Sequence, residues 1–558
     1  MANFKIKTPH AAVIVWNYVD RISADGVTNL TKVEPKIIST VSCISIQISK
    51  SKSNPVGSFE VVLAPSKNWL STLTAGSWCC ILMSNRKITE EDIKKAKPDT
   101  LKMIGKIESV RLEAKQNGDM RQTRYIMSGV DWGYIFNNNM YIDNLIGAGQ
   151  QQNQQNALAI AIRNASTANG NSPKTFSIDD NIKNIISVFG QSWKSIKKTG
   201  DQIGRLDKSV YDFSIPADMA SFLNLVNAQD EKPKDVNINN ALKLVSGKLV
   251  REDTYDGESQ AQGFLDPFGM QGTNTFWQIL QDNSNPVINE MFNEMDWTPK
   301  GLSLTLFNRI KPFSYKNNYN QRTKSLRSDF KKIKTHKIDS INVISVAAAT
   351  NWRDKYNFIE IRPAFPDFVI LDNLIKQKTQ QFDAEAFKRE GFRPLIVSTK
   401  QFPVSGKKDT KTPMKPDPEK FEVWTLLLKE WYFDNHRLLN GSISMTGTTE
   451  YIGVGNNIMV EAHLINPNLN FTKDVYKSKN KVYLLAHVEN ISHSFSVDEN
   501  GGREYITNIQ FVRGIFVNEN KELIGDAALD KMSDALTDED DINSKNIVKI
   551  NEAKELET

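Results

Sequence analysis

Histidine, cysteine and carboxylate side chains are the groups that could carry chemistry in this chain. His487 and His493 lie six residues apart in an alternating segment, so both could point to one face of a sheet as metal ligands. No cysteine lies near them, and polar positions on a strand are the competing interpretation. The other histidines stand apart from one another: His10, His336, His436 and His463. We therefore assign no metal-binding residue and expect no metal.

The three cysteines are Cys43, Cys79 and Cys80. Their odd number excludes a disulfide framework, and their spacing fits no zinc pattern. Cys79 and Cys80 are adjacent in "SWCCILMS", which has the composition of a strand, so their side chains should point to opposite faces. We predict buried thiols in a protein made in a reducing compartment.

No nucleophile elbow, HExxH motif or phosphate-binding loop occurs in the chain. The paired carboxylates Glu90–Glu91 and Asp540–Asp541 lie in charged stretches, whereas acid–base catalysis needs a carboxyl group in a perturbed environment. The glycine-rich stretch 256–275 lacks the spacing and the preceding strand of a phosphate-binding loop. We therefore predict that the protein is not an enzyme, with no catalytic residue, no cofactor-binding residue and no cofactor.

Charge is distributed unevenly along the chain. Ten basic residues and one acid, Asp329, lie between Arg309 and Lys337, and Tyr315, Tyr319 and Phe330 stand among these bases. Such a segment could follow a nucleic-acid backbone, or it could be a solvated loop or a face against a neighbouring subunit. From Asn518 to the end, acids outnumber bases twelve to five, which predicts an acidic tail that is flexible or helical. That tail either docks on a partner or stays mobile.

The chain of 558 residues is long enough for several domains, and no apolar run has the roughly 18–20 residues that cross a bilayer. Its amino terminus lacks the pattern of a secretory signal. Residues 30–145 contain short alternating strands and a hairpin around Asn117–Gly118, a dipeptide that suits tight turns. This density of strands predicts a β-barrel or a sandwich.

Residues 146–416 have a mixed pattern. Apolar residues three and four apart predict helices in "NIKNIISVFG", in "ADMASFLNLVNAQ" and around Trp277. The segment "GLSLTLFNRI" alternates, so Leu302, Leu304 and Leu306 should share one face of a strand. A further helix is expected to end at Gly391.

The strand pattern of residues 57–133 returns near the carboxyl end in the same order. "GSISMTG" (441–447) matches "GSFEVVL" (57–63), and "IGVGNNIMV" (452–460) matches "LTAGSWCCI" (73–81) with Gly455 at the place of Gly76. The closing hairpin aligns Glu489 with Glu108 and Tyr505–Ile506 with Tyr125–Ile126. Three ordered matches at a nearly constant offset predict two related β-barrels in one chain.

Residues 35–515 resemble the baseplate hub proteins of contractile-tailed bacteriophages, a family that includes late-control tail proteins and the hub half of type VI secretion spike proteins. The stretches that carry the resemblance are residues 41–85, 275–313 and 482–514. The resemblance implies a homotrimer in which two tube-like barrels per chain form a ring. That ring would join a six-fold tail tube to a three-fold central spike and line the DNA conduit.

The resemblance further implies a structural virion protein of the tail baseplate, assembled in the bacterial host cytoplasm. Its partners would be two more copies of itself, tail tube proteins, a central spike protein and other baseplate proteins, with DNA only as transiting cargo and no membrane anchor. The long middle region and the acidic tail depart from the shorter members of the family. The tail has no glycine-rich or β-helix repeat, so the spike is expected to be a separate protein.

The fold class expected is α+β, mainly β, with two related tail-tube-like β-barrel domains and an α+β middle region. The expected segments are an amino-terminal arm (1–29), a first barrel (30–145), a middle region of one or two subdomains (146–416), a second barrel that could also recruit strands from earlier in the chain (417–517) and the tail (518–558). Three alternatives stay open: a hub of a type VI or extracellular contractile injection system, a nucleic-acid-binding protein that uses residues 309–337, and a carbohydrate-active β-protein.

Overall fold

A computed structural model of the chain describes residues 8–22, 28–32, 35–117, 120–137, 139–142, 176–177, 214–225, 236–237, 242–246, 261–263, 272–311, 333–363, 380–399, 401–405, 415–416, 418–433, 435–465, 481–521 and 524. Several predictions from the sequence lie outside these residues. They are the Gly118 turn residue, the helix in 181–190, the Asp540–Asp541 pair, residues 256–260 and 264–271 of the glycine-rich stretch, and the tail beyond 524.

The helices and strands are labelled in chain order. The first region contains β1 (His10–Trp16), β2 (Tyr18–Ile22), β3 (Thr28–Lys32), β4 (Lys36–Ile38), β5 (Cys43–Ser51), β6 (Ser58–Leu63), β7 (Trp78–Ser84), α1 (Glu90–Lys94), β8 (Leu101–Asn117), β9 (Met120–Asp131) and β10 (Asn139–Ile142).

The middle region contains β11 (Phe176–Ser177), β12 (Ser214–Ile215), α2 (Ala217–Leu223), β13 (Val236–Asn237), β14 (Leu242–Ser246), β15 (Ala261–Gly263), β16 (Gly272–Thr275), α3 (Phe276–Asn283), β17 (Asn289–Thr298) and β18 (Gly301–Ile310).

The last region contains β19 (Thr335–Ile338), β20 (Val343–Ala349), β21 (Phe358–Pro363), β22 (Gln380–Phe382), α4 (Ala384–Glu390), β23 (Pro394–Thr399), β24 (Gln401–Ser405), β25 (Lys415–Pro416), α5 (Pro418–Phe433), β26 (Leu439–Thr446), β27 (Asn457–Glu461), β28 (Tyr483–Val497) and β29 (Arg503–Val517).

The architecture is mainly β and is organised by one sheet of thirteen strands, in which almost every neighbouring pair is antiparallel. Its order is β20–β26–β29–β28–β5–β6–β9–β8–β7–β1–β4, and β27 joins β28 and β19 at a branch. We name β1 and β4–β9 the first module, and β19, β20 and β26–β29 the second module. The two modules are parts of one sheet because β5 pairs with β28.

The two modules have the same strand order. The path β5–β6–β9–β8–β7 of the first module is repeated as β20–β26–β29–β28–β27 in the second. In each module a short strand and a 3-10 turn lead directly into the first strand of this path: β4 and residues Thr40–Ser42 in one, β19 and residues Ser340–Asn342 in the other. The repeat expected from the sequence is therefore a repeat of topology.

Irregular features recur at equivalent positions. A β-bulge at Ile44 interrupts the β5–β6 ladder, and one at Ile344 interrupts β20–β26. A bulge at Glu108 in the β8–β9 hairpin is matched by one at Glu489 in the β28–β29 hairpin. Bulges shift the register of a ladder, so these positions fix which residues correspond.

A glycine with positive φ precedes the third matched strand in both modules. Gly76 has φ +87° and Gly455 has φ +77°, a region that L side chains rarely adopt. The Gly76 amide donates to the Ile107 carbonyl at 2.7 Å, and the Gly455 amide donates to the Val488 carbonyl at 2.9 Å. The alignment of these two glycines from the sequence is confirmed.

Two of the sequence matches need a correction of two residues. Leu63 pairs with Cys43 beside one bulge, and Met445 pairs with Val343 beside the other, so Leu63 corresponds to Met445. The sequence match placed Leu63 at Gly447. Its match of Tyr125 with Tyr505 in β29 is wrong by the same two residues. A shift of two residues keeps every side chain on its face of the sheet, so the alternating pattern could not detect the error.

The barrels expected from the sequence are not closed by hydrogen bonds within the described residues. Each strand path starts on one strand and ends on the strand that precedes it in the chain, as a barrel would require. No ladder joins β4 to β5 or β19 to β20 in the part of the chain that the structure describes.

The modules differ at two places. In the second module β27 pairs directly with β19 in parallel, whereas in the first module β1 lies between β7 and β4 and is antiparallel to both. The connection from β5 to β6 is the short loop 52–57, whereas residues 350–438 separate β20 from β26. That insertion carries the β22–β21–β23 sheet with α4 and the helix α5.

The middle region packs as expected where it is described. Helix α2 has Asp218 in its first turn, and α3 carries Trp277. Leu302, Leu304 and Leu306 on β18 are fully buried. Helix α4 ends at Gly391, which has φ +73°. No described helix is both long and apolar enough to span a bilayer.

The cores use both faces of the sheet. Cys79 and Cys80 are buried free thiols, as expected, and they belong to different apolar clusters on opposite faces of β7. The cluster that contains Cys79 also includes Ile46 and Ile48 from the first module and Phe495 from the second. One hydrophobic core therefore spans both modules.

The paired glycines offer a matched test of the backbone. A Cβ at Gly76 would contact nothing within 4 Å, whereas one at Gly455 would lie 2.3 Å from the Phe292 ring. We expect Gly76→Ala to lower the free energy of unfolding by about 1–2 kcal/mol through backbone strain alone. Gly455→Ala should cost a further 1–3 kcal/mol or so, because Phe292 must move.

Urea denaturation of both variants beside the wild type measures the difference. Equal midpoints for the two variants would contradict the assigned contact with Phe292.

Candidate functional site

The seam between the modules is a continuous antiparallel ladder. Residues Ser45–Ser51 of β5 pair with Ser496–Asn490 of β28. Beyond the ladder, the Lys52 amide donates to the Glu489 carbonyl at 2.8 Å. The ladder satisfies the outer edges of two strands that would otherwise expose their backbone groups.

The end of the seam is lined by buried charges, which we name the seam cluster. Its members come from three segments of the chain: β5 and its following residue, β9, and the β17–β18 hairpin. They are Lys50, Lys52, Asp131, Glu290, Glu294 and Arg309, all among the buried or nearly buried side chains. Three cations face three carboxylates, so the cluster has no formal net charge.

Glu290 binds two cations. The Arg309 Nε donates to its Oε1 at 2.7 Å, and the Lys52 Nζ donates to its Oε2 at 3.1 Å. Lys52 also lies 2.8 Å from the carboxylate of Glu489 on β28. Arg309 reaches the second module as well, through a bond of 2.6 Å to the carbonyl of Gly455.

Glu294 is held mainly by the second module. Its carboxylate accepts hydrogen bonds from the Tyr451 hydroxyl and, at 2.8 Å, from the Val454 amide. The Lys50 Nζ lies 3.7 Å from Glu294 and 2.9 Å from Asp131 of the first module. Glu290 and Glu294 lie on one face of β17, so the alternation of that strand places both carboxylates at the seam.

The pairing controls ionisation. Burial opposes ionisation of Glu290, but Lys52 and Arg309 outweigh it and hold the pKa of that carboxyl well below its usual range. Burial also opposes the charge of Lys50, but Asp131 and Glu294 keep the pKa of this ammonium above its ordinary value. Each of these two charges is thus stabilised by oppositely charged partners within the seam cluster.

This arrangement suits mechanical connection better than catalysis. Each carboxylate of the cluster contacts a cation or a hydrogen-bond donor, so the groups hold three segments of the chain together. The cavity beside Lys50, Asp131 and Tyr451 has a volume of about 20 Å3, roughly the space of one water molecule. It has no room for an organic substrate.

The two histidines of the sequence analysis lie on the single strand β28 and are both buried. The Nδ1 of His487 is 2.9 Å from the Asn457 Oδ1, and the Nδ1 of His493 is 2.9 Å from the Thr507 Oγ1. Burial lowers the pKa of both imidazoles. Among the described residues, no group of three or more potential ligands could hold a metal.

The basic segment is divided by the fold. Residues 312–332 lie outside the described part, so most of its bases carry no structural statement. Arg309 is 6% exposed and bound to Glu290, and the Lys311 Nζ donates to the Pro286 carbonyl at 2.9 Å. Arg309 is therefore a structural cation of the seam and not part of a nucleic-acid-binding surface.

The seam cluster was not predicted from the sequence. The available signal was the segment "NEMFNEMDWT", in which Glu290 and Glu294 interrupt an apolar strand at an even spacing. Charged residues inside such a strand are rarely buried unless they are paired. The partners Lys50 and Lys52 are distant in sequence, so the pairs could not be identified from spacing.

The cluster predicts an acid-sensitive seam. Because the pKa of Glu290 is depressed in the folded state, its contribution to stability is complete above about pH 4.5 and decreases as the pH falls below that value. Glu290→Gln should lower the free energy of unfolding by about 3–5 kcal/mol at pH 7, because Lys52 and Arg309 lose their counter-charge. The difference in free energy of unfolding between wild type and Glu290→Gln should decrease by about 1.4 kcal/mol per pH unit below pH 4.5.

Urea titrations at pH 7, 4 and 3 measure the gap. Glu385→Gln, at an exposed carboxylate, is the control and should stay within about 0.5 kcal/mol of wild type throughout. A gap for Glu290→Gln that is independent of pH would refute the role assigned to its charge.

No protein-family profile matches the chain. No curated protein matches it either. Among solved structures, the chain is similar to the tail protein from Neisseria meningitidis MC58, with 11% identity, coverage of 90% of this chain and 96% of that chain, and a TM-score of 0.40. It is also similar to the 43 kDa tail protein of prophage MuSo2 from Shewanella oneidensis, with 11% identity, coverage of 92% and 100%, and a TM-score of 0.39. A third similar structure is the Francisella PdpA-VgrG complex, with 8% identity, coverage of 92% of this chain and 54% of that chain, and a TM-score of 0.35.

Proposed function

We propose that the protein is a structural component of a phage-type tail: a homotrimeric baseplate hub that joins a six-fold tail tube to a three-fold central spike. Its function would reside in interfaces and not in catalysis. The observation that carries the proposal is the manner in which the two modules of one chain are joined.

The seam is a head-to-tail contact between similar units. The first module contributes β5, and the second contributes β28, which corresponds to β8 and not to β5. A contact between unlike surfaces of similar units can be repeated, and it produces a ring when the rotation closes. Each chain keeps one spare surface of each type, namely β20 and the corresponding part of β8.

Three chains would supply six modules. Around a three-fold axis, they alternate between first and second modules and present six similar surfaces on each face of the ring. A six-fold tube could then contact one repeated surface, while elements that occur once per chain contact a trimeric spike. The central opening would pass DNA as cargo.

An exposed apolar residue recurs at the same position of both modules. Val41 and Ile341 occupy the 3-10 turns before β5 and β20, and they are 81% and 78% exposed. In the proposed ring, these turns would form six similar apolar points on one face. We assign them to the contact with the tail tube protein.

The same ring would serve a hub of a type VI or extracellular contractile injection system. Genes for a capsid and a terminase beside the gene of this protein would favour a phage tail.

Native mass and end-on imaging test the proposal. We expect the purified chain to form a species of three times 63.1 kDa as its concentration rises, with an axial opening and six lobes in electron micrographs. A species that stays monomeric at every soluble concentration, or one with a different copy number, would argue against the hub.

A further inference from the structure

We propose that the ring closes by antiparallel pairing of β20 in one copy with residues 109–115 of β8 in the next copy, in the register of the internal seam. This inference rests on the proposed trimeric ring and adds the surface, the partner and the register. The partner is a second copy of this chain.

The internal seam supplies the template. The matched bulges at Ile44 and Ile344 make Gln47 of β5 equivalent to Ala347 of β20. The matched bulges at Glu108 and Glu489 make Ser494 of β28 equivalent to Glu113 of β8 in the same way. Transfer of the β5–β28 register then gives these pairs between copies: Ala349–Arg111, Ala348–Leu112, Ala347–Glu113 and Val346–Ala114.

Both edges are available in the described part of the chain. Strand β8 pairs with β7 only through residues 101–106, and from Ser109 to Asn117 the only described strand that pairs with its backbone is β9. Strand β20 pairs with β26 and with no other described strand. The corresponding edges inside the chain, on β5 and β28, are the ones that form the seam.

The composition of β20 suits an edge that will be covered. Its sequence VISVAAA contains no charge and no proline, the features that usually protect a free edge strand from pairing. Val346 and Ala348 lie on the side of the sheet that packs against the core of the second module, and they are only partly buried. An additional strand would complete their burial.

The side chains of β8 complement this edge. Leu112 is 44% exposed, and the proposed register places it beside Ala348 on the apolar face. In the internal seam, that face holds Ile46, Ile48 and Phe495 in one core. The opposite face would place Arg111 and Glu113 beside small alanine side chains, so their ion pair of 3.3 Å is preserved.

Introduced cysteines test the register. Ala347→Cys combined with Glu113→Cys should form disulfides between copies on mild oxidation and yield a covalent trimer on a non-reducing gel, since directly opposite Cβ atoms lie about 4.5–5.5 Å apart. Ala348→Cys combined with Glu113→Cys is the matched control and should give at least tenfold less cross-linked product, because residue 348 points to the other face. The native cysteines are buried and burial raises their pKa, so they should not interfere.

The outcomes separate this inference from the proposed function. A trimer by native mass that cross-links equally with both pairs, or with neither, would overturn the register and leave the hub proposal standing. The absence of any trimer would overturn both.

A charge test provides a second measurement. Ala347 is exposed in the single chain, so Ala347→Glu and Ala347→Lys should both fold with the thermal midpoint of wild type. Opposite Glu113 of the next copy, Ala347→Glu should weaken trimer formation at least tenfold relative to Ala347→Lys, since like charges directly opposite one another repel. Equal trimer dissociation constants for the two variants would contradict the pairing.

Discussion

The pairing of β5 with β28 is the constraint on which the rest of this structure depends. It converts two modules into one sheet and joins their cores, because Ile46 and Ile48 of one module pack beside Phe495 of the other. Backbone pairing alone would allow the strands to slide, since any even shift preserves the alternation of faces. The seam cluster removes that freedom. Lys52, at the end of β5, binds Glu489 of β28, and the β17–β18 hairpin binds the backbone of the second module through Arg309 and Glu294.

Buried ion pairs are a costly way to fix a register. Two charges removed from water lose solvation that their mutual attraction barely restores, and apolar residues of similar size would often be as stable. Specificity is the better explanation for Glu290 and Glu294. An apolar junction would tolerate several alignments of the two modules, whereas a cluster of three cations and three carboxylates strongly disfavours any alignment that leaves one of them unpaired.

Local sequence patterns predict much of the structure of each module but little of the connection between the two modules. Local rules about turns and alternation predict three of its features: the β8–β9 hairpin, the equivalence of Gly76 and Gly455, and the burial of Cys79 and Cys80. The counterpart of β5 was not matched, because residues 350–438 separate β20 from β26 and the sequence VISVAAA shares little with CISIQIS. The seam cluster could not be predicted because its partners are far apart in the chain and meet only through tertiary packing.

The differences between the two modules do not alter the strands that form the seam. Strand β1 is inserted on the far side of β7, and the insertion of 350–438 follows the last residue of β20, outside the ladder that β20 makes with β26. The bulges at Ile44, Glu108, Ile344 and Glu489, which determine the register of β5, β8, β20 and β28, are all retained. Repeated interfaces need equivalent edges but not identical modules. A chain that preserves its four edge-forming strands while the remaining parts diverge has the pattern of change expected if the same strand pairing operates both within one copy and between copies.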